Sequence, residues 1–95
     1  MGDEEREIGV HLKRWRLLVG DTRARVAAAS GISVGTLARL ENGEGSSLST
    51  MLAVCDTLGL GGQIAAALDP ADSDLGRARA HLWNRRRASP ARSVR

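Results

Sequence analysis

An all-α fold is the prediction for this sequence of 95 residues, and three observations carry it. Trp15 and Trp83 are the only residues of the Phe, Trp and Tyr class, while Ala, Leu and Gly are abundant. Strands favour β-branched and aromatic side chains, so this composition leans to helix. The apolar residues Ile8, Leu12, Trp15 and Val19 recur at i, i+4, i+7 and i+11, which is one stripe of an amphipathic helix. The length suits one small domain plus a tail and is short for a sheet with several crossovers.

The first helix runs from Glu4 to Val19, with acidic residues favourable at its positive N-terminal end, and Trp15 is expected in the core. Gly20 stops it. Thr22 is placed to cap a second helix ending near Ser30, with Val26, Ala27 and Ala29 inward. Gly31-Ile32 forms a turn, after which Ser33 caps a third helix that buries Leu37 and Leu40. Asn42-Gly43, two residues tolerant of a left-handed backbone, ends it. Ser47 opens a fourth helix with Met51, Val54, Cys55 and Leu58 on one face. A Gly-rich hinge leads to a short fifth helix carrying Ile64 and Leu68 and closed before Pro70. "ADSD" caps one further segment from Leu75 to about Trp83, and "NRRRASPARSVR" lacks the apolar content to fold alone.

Charge is divided unevenly. Residues 1–75 hold seven basic and eleven acidic side chains, whereas residues 76–95 hold seven arginines and no acid. A polyanion must therefore be held by a local patch, by the tail, or by both. No apolar run approaches the roughly 20 residues of a membrane span. The acidic start "MGDEEREIG" does not resemble a secretory signal, and Arg6 stands where a myristoylation signal has Ser or Thr. Cys55 is the only cysteine, which excludes an internal disulfide and fits a reducing cytoplasm.

Gly31-Ile32-Ser33-Val34-Gly35 spells the G-x-S-x-G of a serine hydrolase, but a nucleophile elbow needs a buried strand before the serine. Here "VAAAS" precedes it, helical and poor in β-formers, so Ser33 reads as a helix cap and no enzyme is implied. Two short helices joined by a tight Gly-containing turn make a helix-turn-helix unit instead. Ala27 must be small where the helices cross, and Gly31 supplies the positive φ of the turn.

From Ile8 to Leu60 the chain resembles the Xre or lambda-repressor-like helix-turn-helix family. Arg16, Thr22, Ala27, Gly31, Ser33, Leu37, "LENG" (Leu40 to Gly43) and "SLSTMLAVCDTLGL" register together in order. The resemblance implies a compact five-helix bundle that binds double-stranded operator DNA, usually as a homodimer, with no cofactor and no metal. On this reading residues 4–69 form the helix-turn-helix domain, and residues 70–95 are a basic, largely flexible tail with room for a short helix. Arg16 and Glu41 occupy positions that pair in the family and are read as structural. The DNA-binding set is Arg23, Ser33, Val34, Gly35, Thr36, Ala38, Arg39 and Asn42, with Arg23 and Asn42 on phosphates and Arg39 near base edges. Arg23 stands where family members commonly carry Gln, and its guanidinium can hold a phosphate or read guanine; Glu44 stands where basic residues are frequent. Few of the outward groups have hydrogen-bonding side chains, so direct readout is expected to be modest.

The tail carries Leu82, Trp83, Arg85, Arg86 and Arg87. Three readings stay open: a frayed basic extension, an arm on DNA, or a docking segment anchored by Trp83. A domain of this size with a short basic tail is similar to HipB-like antitoxins, which neutralise HipA-type kinase toxins and repress their own operons. That resemblance implies a toxin partner; a stand-alone repressor needs only DNA and a dimer face.

Overall fold

Glycine at position 9 sets the packing of the first helix. The computed structural model describes residues 2–83. In it α1 (Asp3–Leu18) buries Gly9, Leu12 and Arg16, and a Cβ at Gly9 would lie 2.5 Å from the carbonyl oxygens of Leu40 and Glu41. The helix therefore turns Gly9 and Arg16 toward α3 (Val34–Glu41). This corrects the expected stripe: Ile8, Trp15 and Val19 are 43%, 41% and 50% exposed, and only Leu12 of that set is buried. Asp3, Glu4 and Glu5 occupy the first turn of α1, where the helix dipole favours negative charge. At its other end the Gly20 N–H donates to the Leu17 carbonyl and the Asp21 N–H to that of Arg16, a Schellman closure.

Three capped helices follow. The Thr22 hydroxyl accepts from the Arg25 N–H at the start of α2 (Arg23–Ser30), and Ser33 and Ser47 do the same for α3 and for α4 (Leu48–Thr57). Gly31, at φ +72°, closes α2 with the Ile32 N–H donating to the Ala27 carbonyl. Position 43 requires glycine for two reasons that coincide. Its φ is +73°, and a Cβ there would lie 2.6 Å from the backbone of Arg6, so the end of α3 touches α1 directly. Asn42 keeps an ordinary negative φ of −88°.

Packing of α1 on α3, and of α2 on α3 and α4, closes a core of Leu12, Val26, Ala27, Leu37, Leu40, Val54, Cys55, Leu58 and Leu60. Ala27 is 1% exposed, as a close helix crossing requires, whereas Ala29, expected inward, is exposed. Ser30 Oγ lies 2.8 Å from Thr57 Oγ1, tying the ends of α2 and α4.

The chain divides after Gly62 into two compact units, and α5 (Gly61–Leu68) begins at the end of the first and lies mainly in the second. In the second unit Ile64 is half-buried and Leu68 is exposed. A 3₁₀ turn at Pro70–Asp72 packs on α6 (Asp74–Ala78), whose Gly76 leaves no room for a Cβ beside the Pro70 carbonyl. One continuous helix to Trp83 was expected; instead the helix breaks at Arg79 and resumes over 80–83. Arg85, Arg86 and Arg87 lie outside the described residues.

Candidate nucleic-acid interface

The pairing of α2 with α3 leaves one face of α3 in solvent. Leu37 and Leu40 point inward, and this rotation brings Ser33, Val34, Gly35, Arg39 and Asn42 to the surface, with Thr36 and Ala38 half-buried on its flanks. Val34 is 48% exposed, an apolar group in water beside polar ones. Nothing but the Ser33 hydroxyl, at 3.9 Å, comes within 4 Å of a Cβ built at Gly35.

These groups are linked. Ser33 Oγ accepts from the Thr36 N–H at 3.0 Å and donates to Thr36 Oγ1 at 2.9 Å. Thr36 Oγ1 also accepts from Arg39 Nη2 at 3.4 Å, which lays the guanidinium back along the helix. The serine of the G-x-S-x-G stretch is thus engaged as the cap of α3, and the segment before it is the helix α2. His11 is exposed on α1 beside Glu7, at 3.7 Å.

Behind this face lies a charged cluster. Arg16 donates from Nε to Glu41 Oε2 at 2.7 Å and from Nη2 to Oε1 at 3.2 Å, with Nη1 on the Asp21 carbonyl. Arg23, expected as a surface phosphate contact, also reaches this carboxylate, with Nε 2.9 Å from Oε1. The side chains of Arg16 and Glu41 are 8% and 1% exposed, and that of Arg23 is 36% exposed. Burial alone would raise the Glu41 carboxyl; the hydrogen bonds from Arg16 and Arg23 overcome it and hold the group below the ordinary glutamate range. Sequence reasoning named Arg16 with Glu41 and missed Arg23 as the third member. Nothing in the spacing of Arg23 and Glu41, 18 positions apart, marks them as partners.

In the second unit Leu82 and Trp83 are 41% and 57% exposed and line a groove of about 800 Å³ with Pro70, Leu75 and Arg79. Among the described residues there is no group of His, Cys, Asp and Glu placed to hold a metal ion, and no helix is long and apolar enough to cross a membrane.

A family model described as a helix-turn-helix domain matches residues 7–68, from within α1 to the end of α5. No curated protein and no solved structure matches the chain.

Proposed function

The chain belongs to the helix-turn-helix domain family, and from that premise we propose that it is a sequence-specific transcriptional repressor. It acts as a two-fold dimer in the cytoplasm, and α3 enters the major groove of operator DNA. The supporting observation is the exposed face of α3, where Ser33, Thr36 and Arg39 form one hydrogen-bonded row beside Val34 and Gly35. On the exposed face of α3, Arg39 has a fork able to pair with guanine, and Val34 and Ala38 offer apolar contact to thymine methyl groups. Asn42 and Arg23 flank them toward phosphates.

Operator sequences selected from a random duplex pool test this reading. Arg39→Ala is expected to cost about 1–3 kcal/mol and to relax preference at particular base pairs. A selected sequence and footprint identical for wild type and Arg39→Ala would remove α3 from the groove.

The finer role proposed is that of an antitoxin of the HipB-like branch, whose tail docks a HipA-type kinase toxin. The exposure of Leu82 and Trp83 over an apolar groove favours a protein partner, since an arm on DNA needs arginine alone. Deleting residues 85–95 separates the two readings. A DNA arm predicts a salt dependence flatter by several units, about 0.9 for each phosphate no longer neutralised. A docking tail predicts unchanged operator binding and loss of the partner from a pull-down in the native host, with Trp83→Ala sufficient to release it.

A further inference from the structure

Two guanidinium groups share one carboxylate in the Arg16–Glu41–Arg23 cluster, so it carries one surplus positive charge. Where that charge is felt follows from exposure. Arg16 is buried and uses all three of its nitrogens on Glu41 and the Asp21 carbonyl. Glu41 is sealed from solvent. Arg23 alone opens outward, and it meets Glu41 through Nε only; among the described residues neither Nη has a protein hydrogen-bond partner. A guanidinium tethered at Nε presents its two Nη groups as one planar edge, the geometry that takes two oxygens of a phosphate.

We infer that Glu41, which is too buried to touch a ligand, is a positioning residue for DNA: it holds Arg23 so that its Nη edge forms a preset clamp for a backbone phosphodiester beside α3. The inference rests on the DNA-binding reading above. A bound phosphodiester completes the charge balance, two cations against two anions. The tether also limits the side-chain freedom that an unrestrained arginine loses on binding.

Charge alone predicts the opposite sign, which makes the inference testable. Removing a carboxylate beside a polyanion strengthens binding if Glu41 acts only through its field. If Glu41 positions Arg23, Glu41→Gln weakens binding. The measurement is the affinity of the full chain for a labelled duplex of arbitrary sequence, and for a selected operator, across a series of salt concentrations. Arg23→Ala is expected to weaken both about tenfold, the scale of one charge-assisted bond, and to flatten the salt slope by about 0.9, one phosphate contact. Arg23→Lys keeps the charge but gathers its donors on one nitrogen, so it loses the separate Nε tether and the two-point Nη edge; its affinity is expected to fall toward that of Arg23→Ala. In the Arg23→Ala background, Glu41→Gln produces no further weakening.

Thermal melts accompany each variant. If Glu41→Gln does not fold, Glu41→Asp, which keeps the charge but shortens the reach to Arg23 Nε, takes its place and is expected to weaken binding, while Arg23→Lys binding like wild type still overturns the inference. Glu41→Gln binding as tightly as wild type or tighter, or Arg23→Lys binding like wild type, overturns the inference. A wild-type protein with no salt-dependent affinity for duplex DNA overturns the DNA-binding reading itself.

Discussion

A single methyl group at Gly9 would meet two carbonyl oxygens at 2.5 Å, both belonging to backbone that cannot swing aside. Helix propensity alone makes Gly→Ala favourable by about 1 kcal/mol. At Gly9 the clash wins, and Gly9→Ala is expected to destabilise the fold by about 1–3 kcal/mol, the usual cost of overpacking. Gly35→Ala is the matched control: the site is open, so the propensity gain stands and the melting temperature rises. Equal shifts for the two variants in thermal melts would show that α1 and α3 do not touch as described. Counting apolar residues could not reveal Gly9, because its contribution is the absence of a side chain. The same blindness placed Trp15 inward, since a spacing rule does not fix the rotation of a helix when a close backbone contact competes with it. Glu41 gives a second residue-scale expectation. Its folded-state pKa is lowered, so its stabilisation is fully present above the ordinary glutamate value of 4.5 and is lost as pH falls below it toward the folded value. Urea unfolding followed from neutral to acid pH should therefore show wild type losing stability faster than Glu41→Gln. At neutral pH, Glu41→Ala is expected to cost about 3–5 kcal/mol, because two guanidinium groups lose their common partner.

At the scale of elements, α2, α3 and α4 start where a hydroxyl residue precedes the apolar pattern, and each of those hydroxyls accepts a backbone N–H three residues on. Starts of this kind are legible because the cap and its acceptor lie within one turn of sequence. The cluster behind α3 was only partly legible, since Arg23 and Glu41 stand 18 positions apart and no periodicity relates them. The break at Arg79 was not legible either: α6 buries no residue, so local hydrogen bonds set its length and no core-facing pattern marks its end. Ser33→Ala is expected to cost about 1 kcal/mol of stability through loss of the cap. The same change removes the donor to Thr36 Oγ1 and leaves that oxygen to Arg39, so DNA affinity should change beyond what the melt accounts for. Ser47→Ala, which uncaps α4 in the same way, should alter the melt and spare DNA binding.

Taken across the whole chain, charge is divided unevenly and the fold falls into two compact units, and the single thiol belongs to the first of them. Cys55 is the only sulfhydryl in the sequence, sits on α4 with 1% exposure, and is raised above the ordinary cysteine range by burial, with a smaller push from the Asp56 carboxylate. A disulfide reagent added in excess can react only after α4 parts from its neighbours, because the thiolate must both form and be reached. Colour development then reports how often, on average, the packing around Cys55 opens, without any prior labelling of the protein. Bound DNA that grips the folded form should slow that reaction in proportion to occupancy, whereas a ligand confined to the second unit should leave its rate unchanged. The chain carries its own stopwatch for the opening of the first unit, started by mixing and read at a single wavelength.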